Sequence, residues 1–155
     1  MRITTRTNLA IRTLMFCAVN PDRMVRKVDI AEACNASENH LAQVIRTLAH
    51  KGVIDASRGR TGGLQLAHEP EKINIGTVFR AFEQDLPFAE CMSRNNTCPL
   101  VSACWLRPAI QKAVEAFYTS LDAVFLSDLV VGNDNLSHIL AMSDRPMAGC
   151  SRSRA

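Results

Sequence analysis

The chain has 155 residues, 47% of them hydrophobic, which is enough for one sizeable core or for a small domain plus a helix that completes its burial against a partner. No apolar run is long enough to span a bilayer and no secretory leader is recognisable, so a cytoplasmic protein without a membrane partner is expected. The net charge of +3 is unevenly spread: residues 1–68 carry ten Lys/Arg against five Asp/Glu, and residues 69–155 carry eight against ten, so the basic excess that would meet a polyanion belongs to the first part.

Residues 5–19 place Leu9, Leu14, Met15 and Ala18 on one broad helical face, and Pro21-Asp22 ends the element. Arg2, Arg6 and Arg12 lie on or beside this helix, either as contacts to phosphate or as solvated helix charges. A second helix is expected over 26–34, with Val28, Ile30, Ala31 and Cys34 as its apolar positions. After a brief turn, Ser37 is the expected N-cap of a third helix that turns Leu41, Val44, Ile45 and Leu48 inward and closes at Lys51-Gly52. Two helices joined by so short a turn make a helix-turn-helix. The outward set of the second of them, Glu38, Asn39, His40, Gln43, Arg46 and Thr47, is rich in groups that hydrogen-bond base edges or phosphates.

Residues 53–57 and 63–67 alternate as two short strands around Arg58-Gly59-Arg60-Thr61-Gly62-Gly63. Gly59, Gly62 and Gly63 suit a tight turn, and a hairpin tip with two arginines is a wing that can lie along a minor groove or its phosphates. The alternative for Arg58 and Arg60 is ordinary solvated charge. Pro70 separates this hairpin from a fourth helix over about 74–83, whose apolar face is Ile75, Val78, Phe79 and Phe82. A long helix is expected over about 106–126, with Leu106, Ile110, Val114, Phe117, Leu121 and Val124 as a stripe that Phe125 widens. Such a stripe suits a dimer interface, or else packing within one chain. Ser127 is the expected cap of a short turn at Asp128–Val130, and residues 135–142 form another short helix before a mobile remainder.

Between the fourth and fifth helices lie Cys91, Cys98 and Cys104, in the loop "AECMSRNNTCPLVSACW". Buried structural cysteines usually occur singly inside periodic apolar segments, which describes Cys17 and Cys34 but not these three. Six irregularly placed cysteines without an export signal argue for reduced thiols, and Cys150 in the polar tail reads as a free thiol. Intervals of six and five residues let three sulfurs converge on a soft metal, the alternative being a structural or disulfide role. Structural zinc normally closes its tetrahedron with Cys or His, and the loop has neither a fourth cysteine nor a histidine. Three thiolates therefore lean towards an iron–sulfur centre whose last ligand is oxygen, another subunit or a small molecule; Asp85 and Glu90 are the nearby oxygen donors. No Ser-His-Asp order, zinc-hydrolase signature, P-loop or dinucleotide-binding glycine run is present, so no enzyme is expected.

With these segments named, the chain resembles the Rrf2 family of bacterial winged-helix regulators over about residues 1–131. The resemblance rests on "RITTRTNLAIRTLMF", "ASENHLAQVIRTLAHKG", "SRGRTGGLQLA" and the three-cysteine loop with its following helix. It implies a mainly α fold made of a winged helix-turn-helix domain, a small β-hairpin wing and a long C-terminal dimerisation helix. The expected division is a DNA-binding domain at 1–68, a connecting helix and cluster loop at 69–104, a dimerisation helix and turn at 105–131, and a partly mobile extension at 132–155.

The resemblance further implies a homodimer with crossed long helices, carrying a cluster on Cys91, Cys98 and Cys104, four-iron (4Fe-4S) or alternatively two-iron (2Fe-2S). Within the family the chain is most similar to nitric-oxide-sensing repressors and has features of the iron regulators. In many such nitric-oxide sensors an aspartate of the first helix reaches the partner's cluster; the matching position is Asn8, and an amide is a weak ligand beside a carboxylate. The implied function is repression at an inverted-repeat duplex, with Ser37, Asn39, His40, Gln43, Arg46, Arg58 and Arg60 on DNA and cluster nitrosylation releasing it. An iron-responsive regulator that reads cluster loss is the first alternative, and a zinc-stabilised protein-interaction adaptor the second.

Overall fold

The computed structural model describes residues 3–57, 59, 62–83, 87–93 and 95–142. Helix α1 (Thr5–Val19) begins where the Thr4 side chain accepts a hydrogen bond from Thr7 N (3.2 Å), and it ends at Asn20, whose N–H returns to Cys17 O. It is the central element of the core, burying Leu9, Ala10, Leu14, Phe16 and Cys17. Thr13 is buried on the same helix and satisfies its hydroxyl by donating to Leu9 O at 2.8 Å.

Helices α2 (Lys27–Ala33) and α3 (Glu38–His50) follow, joined by a turn in which Asn35 adopts a left-handed φ of 48°. Ile30 and Ala31 go inward as expected, but Val28 remains 41% exposed, because a two-turn helix that packs on α3 lays only a narrow strip of its surface inward. Strands β1 (Ile54–Ala56) and β2 (Leu64–Leu66) pair antiparallel, with Ile54 opposite Leu66 and Ala56 opposite Leu64. Each strand is one residue shorter at either end than its alternation predicts.

After a single 3-10 turn at Pro70–Lys72, α4 (Ile75–Glu83) buries Ile75, Val78 and Phe79. A second such turn at Glu90–Met92 lies within the cysteine loop, and α5 (Leu106–Asp122) follows the loop. The long helix stops about four residues before its periodicity does. The reason is pairing: Ile75 N donates to Val124 O and Leu126 N donates to Ile73 O, both at 2.9 Å, so residues 123–125 leave the helix to meet the start of α4. Helix α6 (Leu126–Val130) then begins from Phe125 rather than Ser127, with Asp128 Oδ2 accepting from Phe125 N at 2.8 Å. Leu126 is fully buried against α1.

Helix α7 (Asp134–Leu140) returns to α1. The buried Asn20 amide donates to Phe16 O (2.9 Å) and Leu140 O (3.0 Å) and accepts from Met142 N (2.9 Å), so this segment is tied down through residue 142. One apolar core thus runs from Leu9 to Leu140.

Candidate nucleic-acid interface and cysteine loop

Helix α3 is amphipathic in the sense a recognition helix needs. Leu41, Val44 and Leu48 are buried and fix its rotation, which leaves Asn39, His40, Gln43 and Arg46 exposed, with Ser37 exposed at its N-cap. Ser37 occupies the cap position without capping through its side chain; a 2.9 Å ion pair between Lys27 and Glu38 joins the starts of α2 and α3 instead. Arg12, one of the sequence's phosphate candidates, is spent on structure: its Nη1 donates to Cys34 O (3.2 Å) and closes the C-terminus of α2 against α1.

The hairpin is fixed to this module by a contact the sequence does not announce. Val25, between α1 and α2, pairs with Leu64 through two backbone hydrogen bonds, Val25 N to Leu64 O at 2.9 Å and Leu64 N to Val25 O at 2.8 Å. Gly63 is required at that approach, since a Cβ there would lie 2.9 Å from Val25 O. Gly59 serves the turn itself with a φ of 113°. Arg58 and Arg60, the expected wing contacts, lie outside the described residues, as does Arg2.

Cys91, Cys98 and Cys104 are each partly exposed, and none is in a disulfide. Cys91 sits in the turn Glu90–Met92, while Cys98 N is held by Asn96 Oδ1 at 2.9 Å. Glu90 accepts from Thr97 Oγ1 at 2.8 Å, and Asp85 lies outside the described residues. Among the described residues the three thiols are not gathered into a group that could hold a metal ion, so convergence on spacing alone is not what the loop adopts. Their chemistry nevertheless fits a soft iron centre: three free thiols on one segment whose hydrogen bonds, among the described residues, are local. Cys17 and Cys34 differ in being buried, and burial pushes the Cys17 thiol up to about 12, which leaves it an inert packing group.

Asn8 is exposed on α1, one turn beyond the N-cap. Beside it is an arrangement that sequence reasoning missed. Glu83, the last residue of α4, accepts from Thr4 N (3.0 Å), Thr4 Oγ1 (2.8 Å) and Thr7 Oγ1, so a carboxylate closes the N-terminus of α1. Partial burial works against its charge, but the hydrogen bonds from Thr7 and Thr4 prevail and hold it below the ordinary glutamate value. Only the acidic residue itself could have signalled this, because the partners are at least 76 positions apart.

The stripe of α5 is divided. Phe117 packs edge-to-face on Phe79 of α4 (ring centroids 6.0 Å apart), and Leu121 and Val124 also lie against the chain's own core. Leu106 remains 64% exposed, Trp105 90% and Leu100 66%, and no residue of α5 is fully buried. The C-terminal half of the expected dimer stripe is therefore intramolecular, held further by Arg80, whose Nη2 meets Asp122 Oδ2 at 2.8 Å while its guanidinium lies over the Tyr118 ring.

The comparisons agree with this architecture. An HTH-type transcriptional regulator NsrR from Geobacillus kaustophilus is 39% identical over 142 residues, covering 90% of this chain and 97% of the relative. The HTH-type transcriptional repressor NsrR of Streptomyces coelicolor is 38% identical over 148 residues, with 94% and 99% covered. Among solved structures, T. potens IscR superimposes with a TM-score of 0.64 at 25% identity, covering 83% of this chain and 85% of that one. CymR, the global cysteine regulator of B. subtilis, gives 0.61 at 27% identity, with 83% and 95% covered. A family model described as "Iron-dependent Transcriptional regulator" matches residues 3–132, and the chain belongs to that family, Rrf2.

Proposed function

We propose that the chain is one protomer of a homodimeric repressor that reads an inverted-repeat operator, and that nitric oxide releases the DNA through an iron–sulfur cluster on Cys91, Cys98 and Cys104. Membership of the Rrf2 family makes the chain a DNA-binding transcriptional regulator rather than an enzyme. The observation that carries the finer reading is three free, partly exposed thiols on one loop of a chain that resembles NsrR regulators along nine-tenths of its length.

In this reading the core residues Leu41, Val44 and Leu48 hold α3 with Gln43 towards adenine and Arg46 towards guanine or phosphate, while Ser37, Asn39 and His40 complete the contact at its start. Arg58 and Arg60 add sequence-independent affinity from the wing. Two such helices related by two-fold symmetry meet half-sites about 34–36 Å apart. The loop must draw Cys91, Cys98 and Cys104 together to hold a four-iron cluster, or a two-iron one in the alternative. Held by those three thiolates and one weaker ligand, a cluster would supply an iron with an exchangeable position, the chemistry that a nitric-oxide response needs. The N-terminal part of α5, with Trp105 and Leu106 exposed beside Cys104, provides the surface for the second protomer.

A second reading, iron sensing through cluster loss, is favoured by two observations: the family model's iron-dependent description and an amide, Asn8, where a carboxylate would bind iron more firmly. Anaerobically purified holoprotein, titrated in parallel with nitric oxide and with an iron chelator while its absorbance and operator binding are followed, separates the two. Release of DNA at low stoichiometry of nitric oxide, with the cluster resistant to chelator, supports nitric-oxide sensing. Rapid chelator-driven loss with little response to nitric oxide selects iron sensing, and a colourless zinc protein that still binds DNA defeats both.

A further inference from the structure

A cleft of about 370 Å³ opens between the first turn of α1 and the outward face of α3, lined by Arg6, Ala42, Gln43, Arg46 and Thr47. Two guanidinium groups from different helices line it, and among the described residues no carboxylate does. Neither arginine has a hydrogen-bond or ion-pair partner among the described residues, so each differs from Arg12 and Arg80, which are bound to the chain itself. Two like charges on one small recess repel unless an anion sits between them. The recess is also rigidly placed. Leu41, Val44 and Leu48 anchor α3 in the core, and Thr4, Thr7 and Glu83 pin the first turn of α1 on either side of Arg6.

We infer that this cleft is the seat of one DNA phosphodiester, gripped by Arg6 from α1 and Arg46 from α3. The inference rests on the DNA-reading role of α3 and adds to it a residue from another helix and a definite task for Arg46. A helix lying in the major groove has the groove's phosphate walls on either side, and the helix packed across it is the element that reaches one of them. Arg46 is then committed to the backbone, where a guanidinium fork matches the phosphate oxygens, and Gln43, one turn earlier on the same face, is left as the base-reading group. Thr47 also lines the cleft, its hydroxyl already donating to Gln43 O at 3.2 Å.

The test is the salt dependence of operator binding by the full-length holoprotein dimer, wild type beside Arg6→Gln, Arg46→Gln and the double variant, with Lys112→Gln on α5 as a control for loss of a surface cation. Both arginines are exposed, so the variants should keep the wild-type circular dichroism spectrum and dimeric state. Each single variant should lose at least about tenfold in affinity at low salt, equally for operator and for scrambled duplex, as removal of a charge-assisted contact requires. The double variant should lower the slope of log K against log salt by about 0.9 for each cleft, the value for one phosphate released, rather than twice that.

Wild-type binding with an unchanged slope and affinity in Arg6→Gln would overturn the inference while leaving the DNA-reading role intact. Absence of any salt-sensitive operator preference in the wild type would instead overturn that role. Loss confined to the operator, with scrambled DNA unaffected, would make Arg46 a base reader and also refute the shared seat. A free anion is the other source of the same chemistry. If inorganic phosphate at constant ionic strength raises operator affinity in the wild type but not in Arg6→Gln, the cleft takes a soluble anion alongside DNA and the assignment to DNA is wrong, whereas a fall in affinity seen only in the wild type is competition for the seat and supports it.

Discussion

Leu106→Asp is expected to weaken the dimer while leaving the protomer folded. In the single chain Leu106 keeps 64% of its surface exposed, and it lies at the start of α5, on the half of the stripe that does not pack on α4. Complete burial of a leucine contributes about 1.5–3 kcal/mol, so the part still available to a partner is about 1–2 kcal/mol per copy. A two-fold interface uses it twice, giving about 2–4 kcal/mol, which is about 30- to 700-fold in the dimer dissociation constant at about 1.4 kcal/mol per tenfold. Sedimentation velocity over a concentration series reads that change directly, and far-UV circular dichroism checks the protomer. Phe117→Asp is the contrasting variant: because Phe117 packs on Phe79 of its own chain, it should lower the melting temperature of the protomer as well. If Leu106→Asp dimerises as tightly as wild type, the exposed end of α5 is not the interface and the reasoning from unburied area fails.

Other expectations follow from single contacts. Gly63→Ala should cost about 1–3 kcal/mol in chemical denaturation, because the new methyl meets Val25 O and must push the hairpin from the helix-turn-helix; a stability equal to wild type would mean that the Val25–Leu64 pairing yields freely. Glu83 is held below its ordinary value near 4.5 despite partial burial, by hydrogen bonds from Thr7 and Thr4, so the stability it confers is present above that pH and lost as pH falls through the lowered value. Urea titrations between pH 6 and pH 3 should accordingly show the difference between wild type and Glu83→Gln shrinking on acidification, and a difference that stays constant would remove the linkage. Replacing any one of Cys91, Cys98 or Cys104 by Ser should abolish the visible absorbance and most of the bound iron of anaerobically isolated protein, whereas Cys17→Ser should leave the iron content unchanged; retention of iron in the three loop variants would move the ligands elsewhere.

What the sequence made legible is what local chemistry decides. The spacing of Leu41, Val44 and Leu48 fixes both the existence of α3 and the face it turns outward, and the glycines around the hairpin mark a turn whatever surrounds them. Non-local contacts were not legible. The end of α5 depends on backbone pairing between Val124 and Ile75, far apart in the chain, and the helical period continues past it undisturbed. A stripe written in one period also cannot show that Phe117 meets a ring of α4 while Leu106 keeps 64% of its surface exposed. Val28 illustrates the converse, an apolar residue at a helical interval in a helix too short to bury its whole stripe. The cysteine spacing announces donors, but three sulfurs on a loop converge only when something draws them together, and residue intervals do not encode that force.

The position of the loop's two ends bears on how its shape is transmitted. At one end Glu83 closes the first turn of α1, the helix that carries Arg6 and packs on α3. At the other, Trp105 and Leu106 stand exposed, and the rest of α5 is fastened to α4 by Phe117, by the Arg80–Asp122 pair and by the contact of Gly76 with Asp122, where a Cβ would come within 2.9 Å of Asp122 N. The fastened part cannot yield without breaking several contacts at once, including a bidentate pair and a close helix approach. Were a cluster to draw Cys91, Cys98 and Cys104 together, the load would fall on the two ends of the loop, at Glu83 where it is hydrogen-bonded to Thr4 and Thr7 and at the exposed start of α5. In the function proposed above, the first end bears on α1, which packs on α3, and the second on the surface offered to another protomer, so one change in loop shape would reach both the reading helix and the pairing of two of them.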